Sequence, residues 1–131
     1  MADTLDFKSC LIESIRTLNL KYFLFQNIND DSNSLAIVTL PGGTVTRAYM
    51  DGVKDKALPY EIRGKTKDPE EVENELTRIA KYLGDLEQLK SNNGSFEFMD
   101  IRVSDEPFFE GADDEAYFHF SIGFTANITV F

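Results

Sequence analysis

The sequence holds one cysteine, one histidine and no tryptophan in 131 residues. With Cys10 alone, no intramolecular disulfide can form and no thiolate cluster can hold zinc or iron. Cys10 fits the part of a small apolar filler on a helix. With His119 as the sole imidazole, a Ser or Cys nucleophile has no choice of base, and His119 falls on the polar side of an alternating segment, where a surface or interface residue is expected. A G-x-S-x-G elbow, a P-loop, a dinucleotide glycine fingerprint and an H-E-x-x-H pair are all missing. Gly42-Gly43 lacks the following Lys-Ser or Lys-Thr of a phosphate cradle and reads as a turn. No segment approaches the roughly eighteen apolar residues of a membrane span, and no basic region with an apolar run and cleavage site opens the chain. The expectation is a protein made and kept in the cytoplasm, with no membrane contact, no cofactor and no enzymatic activity.

What is present is acid. Asp and Glu number 23 against 13 Lys and Arg, a formal charge of −10. Such a surface opposes binding to nucleic acid through its phosphates, and it equally suits a protein past which DNA must slide without sticking. The hydrophobic content of 42% is enough for one buried core, so residues 1–131 are expected to form a single domain. No internal repeat, linker or low-complexity segment interrupts it.

Phe7, Leu11, Ile15 and Leu18 recur at the spacing of one helical face and predict a first helix from Thr4 to about Leu18, capped by Asp3 or Thr4 and left through Asn19 in a left-handed turn. Tyr22 to Asn27 and Leu35 to Leu40 read as strands, the second apolar on both parities and therefore central. Thr44 to Met50 predicts a third strand before the Asp51-Gly52 turn. Leu58, Tyr60 and Ile62 alternate with Pro59, Glu61 and Arg63 in a fourth, and Pro59, which cannot donate to a ladder, places the strand's start there or its course at an edge. Asp68-Pro69-Glu70-Glu71 supplies an N-cap, a first-turn proline and the reciprocal acid of a capping box for a second helix with Val72, Leu76, Ile79, Ala80 and Leu83 on one stripe and a weak point or stop at Gly84. Ser95 to Val103 switches parity and predicts a β-bulge near Met99.

The last segment is the most regular. Every even position from Phe118 to Val130 is apolar and every odd one is small, polar or His119, which predicts one strand about 40 Å long whose far end projects beyond the core. The order α-β-β-β-β-α-β-β, with both helices amphipathic, implies an α+β fold: a mostly antiparallel sheet with two helices packed on one face.

Three acidic groups, Asp30-Asp31, Asp105-Glu106 and Asp113-Asp114-Glu115, lack the alternating ligands and central glycine of an EF-hand and read as solvated loops. Glu97, Asp100 and Asp105 imitate a nuclease cluster, but Glu97 and Asp100 fall on opposite parities unless the bulge realigns them. Phe108 and Phe109 stand among charged residues between the last two strands, where they serve either as a partner contact or, if that loop folds back, as a finish to the core.

Together these residues resemble a family. The first helix ending in Thr17-Leu18-Asn19-Leu20, the strand and Gly-Gly turn at Leu35 to Gly43, and Tyr60-Glu61-Ile62-Arg63-Gly64-Lys65-Thr66 running into a Glu-rich helix are similar to the minor capsid proteins of long-tailed (siphovirus-type) bacteriophages classed as tail terminators. Ile101 to Val103 and Pro107-Phe108-Phe109-Glu110-Gly111 before the final alternating strand extend the resemblance over nearly the whole chain.

The resemblance implies a structural virion protein assembled in the bacterial host cytoplasm. In it, a homohexameric ring at the head-proximal end of the tail tube stops tube polymerisation and presents the surface that joins the filled head. Its partners are then further copies of itself, the tail-tube protein and a head-completion protein, with DNA passing through an acidic lumen without specific binding, and no catalytic residue is carried over. A cyclic ring needs two different complementary patches on each subunit, and the projecting last strand, through Thr125, Asn127, Thr129 and Phe131, is the candidate for one, with Phe108 and Phe109 as further contacts. Two other readings stay open: an acidic DNA mimic or inhibitor, and another head-completion or connector protein.

Overall fold

The computed structural model describes residues 5–26, 33–103 and 107–131. The elements run α1 (Phe7–Arg16), β1 (Leu24–Gln26), β2 (Ser34–Thr39), β3 (Thr44–Ala48), β4 (Lys54–Thr66), α2 (Pro69–Asp85), β5 (Phe96–Val103), β6 (Phe108–Ala112) and β7 (Phe118–Val130). The fold is α+β, with one strand more than the spacing predicts, because Phe108–Ala112 is a short strand and not a loop.

Helix α1 forms because Phe7, Leu11 and Ile15 fall on one face with Cys10 and Ile12 beside them, and all five are buried. It ends at Arg16, short of the expected Leu18, but the chain leaves through Asn19 as expected, with a φ of 54°, a left-handed position that asparagine tolerates better than most residues. Its expected caps, Asp3 and Thr4, lie outside the described residues. Asp6 occupies the N-cap position, but its side chain makes no cap. It reaches instead to the turn before β5: Oδ1 accepts from the Ser91 and Ser95 hydroxyls at 2.6 and 2.9 Å, and Oδ2 from the Asn92 amide at 2.7 Å. One carboxylate thus ties the start of α1 to the turn before β5.

Helix α2 begins at the predicted cap, with Asp68 Oδ1 accepting from the Glu71 amide at 3.3 Å and Pro69 in the first turn. The reciprocal half of the capping box is not made. The Asp68 amide donates to Thr66 Oγ1, and Glu71 is drawn to the Lys21 ammonium, whose positive charge is the better partner for a carboxylate. Val72, Leu76, Ile79 and Leu83 are fully buried, and Gly84 lies inside the helix, which closes one residue later. Glu75 is buried too, held by the Lys21 amide and by Arg78 at 3.2 Å, while Arg78 also donates to the Leu18 carbonyl at 2.7 Å. These bonds staple the segment after α1 onto α2.

The sheet runs β1-β2-β4-β7-β5, with β3 pairing β4 and β6 pairing β7. Only β1 and β2 are parallel among its pairs. Strands β4 and β7 are 13 residues each and pair in unbroken antiparallel register from Lys54↔Val130 to Thr66↔Phe118. Their even residues, from Tyr60 and Ile62 to Phe124, Ala126 and Ile128, meet both helices in one core. Phe7 of α1 sits between Tyr60 and Phe96, ring centroids 5.9 and 5.2 Å away. Helix α2 rests on Gly64, where any Cβ would collide with Val72 Cγ2, so glycine is required there by close approach and not by backbone angle.

Strand β2 is internal and buried on both parities from Ser34 to Ile37, as its composition predicts. Two other expectations fail. Pro59 lies in the middle of the central strand β4, neither at its start nor on a sheet edge. The reason is local: β2 pairs β4 down to Tyr60 and β3 takes over at Ala57, so the missing N–H faces the gap between them, where the Pro59 carbonyl accepts from the Leu40 amide. The final strand does not project. β4 occupies one side of β7 throughout, while β5 and β6 share the other, so its backbone is committed within its own subunit. The bulge near Met99 is present, between Phe98 and Asp100.

Candidate assembly surfaces

Two strands stand apart from the core. All five residues of β3 are exposed, as are four of the five in β6. Each pairs along one side only among the described residues, β3 with β4 and β6 with β7. They lie on opposite flanks of the β4–β7 ladder and at opposite ends of it: β3 beside Lys54–Ala57, β6 beside Phe118–Ser121.

Phe108 and Phe109 lie on β6, on opposite faces of the sheet because side chains alternate. Phe109 leans on Phe118 and Phe120, centroids 6.2 and 5.2 Å away, yet stays 51% exposed. Phe108, 64% exposed, forms a wall of a groove of about 670 Å³ on the helix-free face, with Pro59, Glu61 and Gly123 below it. The two aromatics therefore neither fold back into the core nor hang in a loop.

Thr125, Asn127 and Thr129 share the helix-free face of β7, half-buried, and the structure gives two of them partners at home. Asn127 Nδ2 donates to Asp100 at 2.6 Å and Thr129 Oγ1 to Asp55 at 2.7 Å. Phe131, 63% exposed, is not close to the β6 pair. It belongs to a cup at the other end of the sheet, with Tyr49, Met50, Val53 and Thr129. Met50 is fully exposed at the tip of the β3–β4 hairpin, and Tyr49 is held beside it by its hydroxyl, which donates to Asp55 at 2.9 Å; that bond and the neighbouring carboxylate push the phenol's pKa up. The sequence reading missed this tip. Its signal was there in two large apolar residues running into an Asp-Gly turn, where a monomer has nothing to cover them.

The bulge does place Glu97 and Asp100 on one face, opposite Thr129 and Asn127, but Asp30, Asp31, Asp105 and Glu106 lie outside the described residues. Among the described residues no group of three or more His, Cys, Asp and Glu is placed to hold a metal. His119 bonds Asp113 at 2.9 Å, and that contact, with the Tyr117 and Glu115 amides, holds the Asp113 carboxyl below its ordinary pKa. Cys10 is buried and free.

Residues 11–130 match the family model of the bacteriophage tail terminator protein. The chain belongs to the bacteriophage tail terminator family. A comparison with curated proteins finds no match. The matched range takes in every element from α1's second half to the end of β7, so family membership and fold refer to the same body of structure. A tail terminator is a structural component of the phage tail and hence of the virion.

Proposed function

We propose that this tail terminator is the subunit of a closed, homohexameric ring that ends tail-tube polymerisation at the head-proximal end and joins the tail to the head. The family match over residues 11–130 carries the reading. Two further observations support it. A cyclic assembly needs two unlike patches per subunit, and β3 and β6 are two exposed strand edges on opposite flanks. A formal charge of −10 per copy gives a ring whose lumen repels phosphate, so that DNA passes without adhering. The axial contacts, to the tail-tube protein on one side and a head-completion protein on the other, fall to the ends of the sheet, of which the Met50–Phe131 cup is one.

The test is mixing. Added to polymerising tail-tube protein, the chain is expected to halt growth and appear as a terminal ring in negative-stain images. Strictly monomeric behaviour at high concentration in light scattering, with tube lengths unchanged, would sink the reading.

A further inference from the structure

We propose that the ring is closed by strand-to-strand docking of β3 from one copy on the outer edge of β6 of the next. The inference rests on the ring reading above and names the surfaces that make it.

The argument starts from what a short strand needs. A five-residue strand is held in a sheet mainly by side chains it buries against a core and by neighbours on both sides. Strands β3 and β6 have little of either: no residue of β3 is buried, β6 sets only Phe109, half-covered, against Phe118 and Phe120, and each has a strand neighbour on one side only among the described residues. An open edge carrying exposed apolar side chains invites a second chain, and Val45 on β3 with Phe108 and Phe109 on β6 provide them. The other flanking strands are worse candidates. β1 has three residues among the described ones, and the outer side of β5 is met at Glu97 by the bridge to Lys90, while the rest of that edge is the alternative that the Met99 variant below tests.

Charge selects the pairing of unlike edges. The β3–β4 hairpin presents Arg47, Lys54 and Lys56 against one exposed acid, Asp51, whereas β6 and the turn after it present Glu110, Asp113, Asp114 and Glu115, all exposed, with Glu110 also accepting from Ser121 and Asp113 bonded to His119. A β3-to-β3 or β6-to-β6 contact sets like charges together, and a β3-to-β6 contact sets opposites together. The occupant of each edge is therefore the complementary edge of a second copy, which makes the interface heterologous, as a ring demands. Because β3 and β6 sit at opposite ends of the β4–β7 ladder, each copy steps along the strand direction as well as across it, and the strands cross the ring obliquely.

Thiol cross-linking tests this directly, since the native Cys10 is buried. Ala48 and Ala112 are small, exposed and lie on β3 and β6. The double variant Ala48→Cys with Ala112→Cys, treated with a short bis-maleimide, to which each thiolate adds, is expected to give a covalent ladder ending in a closed ring, while each single variant stays a monomer on a denaturing gel. Arg47→Glu is expected to weaken assembly about tenfold, and Arg47→Glu with Asp114→Arg to recover it. Intact rings in native mass spectra without a β3–β6 cross-link, or a ladder formed instead by Ala48→Cys with Met99→Cys on β5, would overturn the docking and leave the ring reading standing. Absence of rings from the unmodified protein would remove both.

Discussion

Strands β4 and β7 run 13 residues side by side and send alternate side chains into a core shared by two helices, while β3 and β6, five residues each, hang on the outer flanks and have no fully buried residue. All four belong to one sheet. The difference between them separates two properties that a single-subunit view merges: the long pair carries the buried core, and the short pair carries the exposed edges that the proposed ring would use to join its copies. A structural protein built this way can be tuned on the second property with little cost to the first, because the two sets of residues are largely separate.

The comparison breaks most readily at Phe7. Its ring is fully buried between Tyr60 and Phe96, bridging α1 to both β4 and β5. Phe7→Ala removes that volume and leaves a cavity, with an expected loss of about 4 kcal/mol in urea or thermal unfolding. If stability fell by less than about 1 kcal/mol, the assignment of folding to the helix-covered core would be wrong.

A smaller and pH-dependent loss is expected at Asp6. Burial pushes its carboxyl pKa up, but hydrogen bonds from Ser91, Ser95, the Asn92 amide and Cys10 outweigh that and hold it at about 2, below the ordinary 3.8. The folded state therefore favours the ionised form, and the stability so gained is fully present above the unfolded value and is lost as pH falls through the folded one. Asp6→Asn, which gives up charge-assisted bonds, is expected to cost about 1.5 kcal/mol near neutral pH. The gap between variant and parent should close as unfolding is measured at successively lower pH across the window from 3.8 down to about 2. A gap that stays constant over that window would show that the latch does not depend on the carboxylate's charge.

How much of this could be read from the sequence follows from the range of each interaction. The helices were legible because helical periodicity and the Asp68-Pro69 start are local signals, and the alternation from Phe118 to Val130 named both the last strand and its buried face. Alternation says which face is apolar but nothing about which strands lie alongside, so β7 could be recognised as a long strand and its far end still be wrongly expected to project. Pro59 misled for the same reason: its missing donor is harmless only because two other strands happen to meet opposite it. Strand β6 was hidden because a bulge between Phe109 and Gly111 destroys its short alternation. Of the candidate contacts, Phe108, Phe109 and Phe131 stood out as large aromatics and are exposed. Thr125, Asn127 and Thr129 were chosen on the idea of a projecting strand, which the pairing of β7 removes as a reason.

The finest separation of the two properties is expected at the hairpin tip. Met50 is fully exposed and touches no part of the core, so Met50→Ser should move unfolding by no more than about 0.5 kcal/mol. If the cup it forms with Tyr49, Val53 and Phe131 is an axial contact, the same change should leave ring formation intact and reduce binding of the ring to tail tubes, measured as the fraction of tube ends capped at fixed concentration. Apolar side chains at a contact add affinity in proportion to the water they exclude, and an exposed methionine adapts to an uneven partner better than a branched residue would. Normal capping by the variant would assign the axial contact to the other end of the sheet, around the Asp113–Tyr117 turn. Lost rings would instead mean that the tip takes part in the lateral interface with β3.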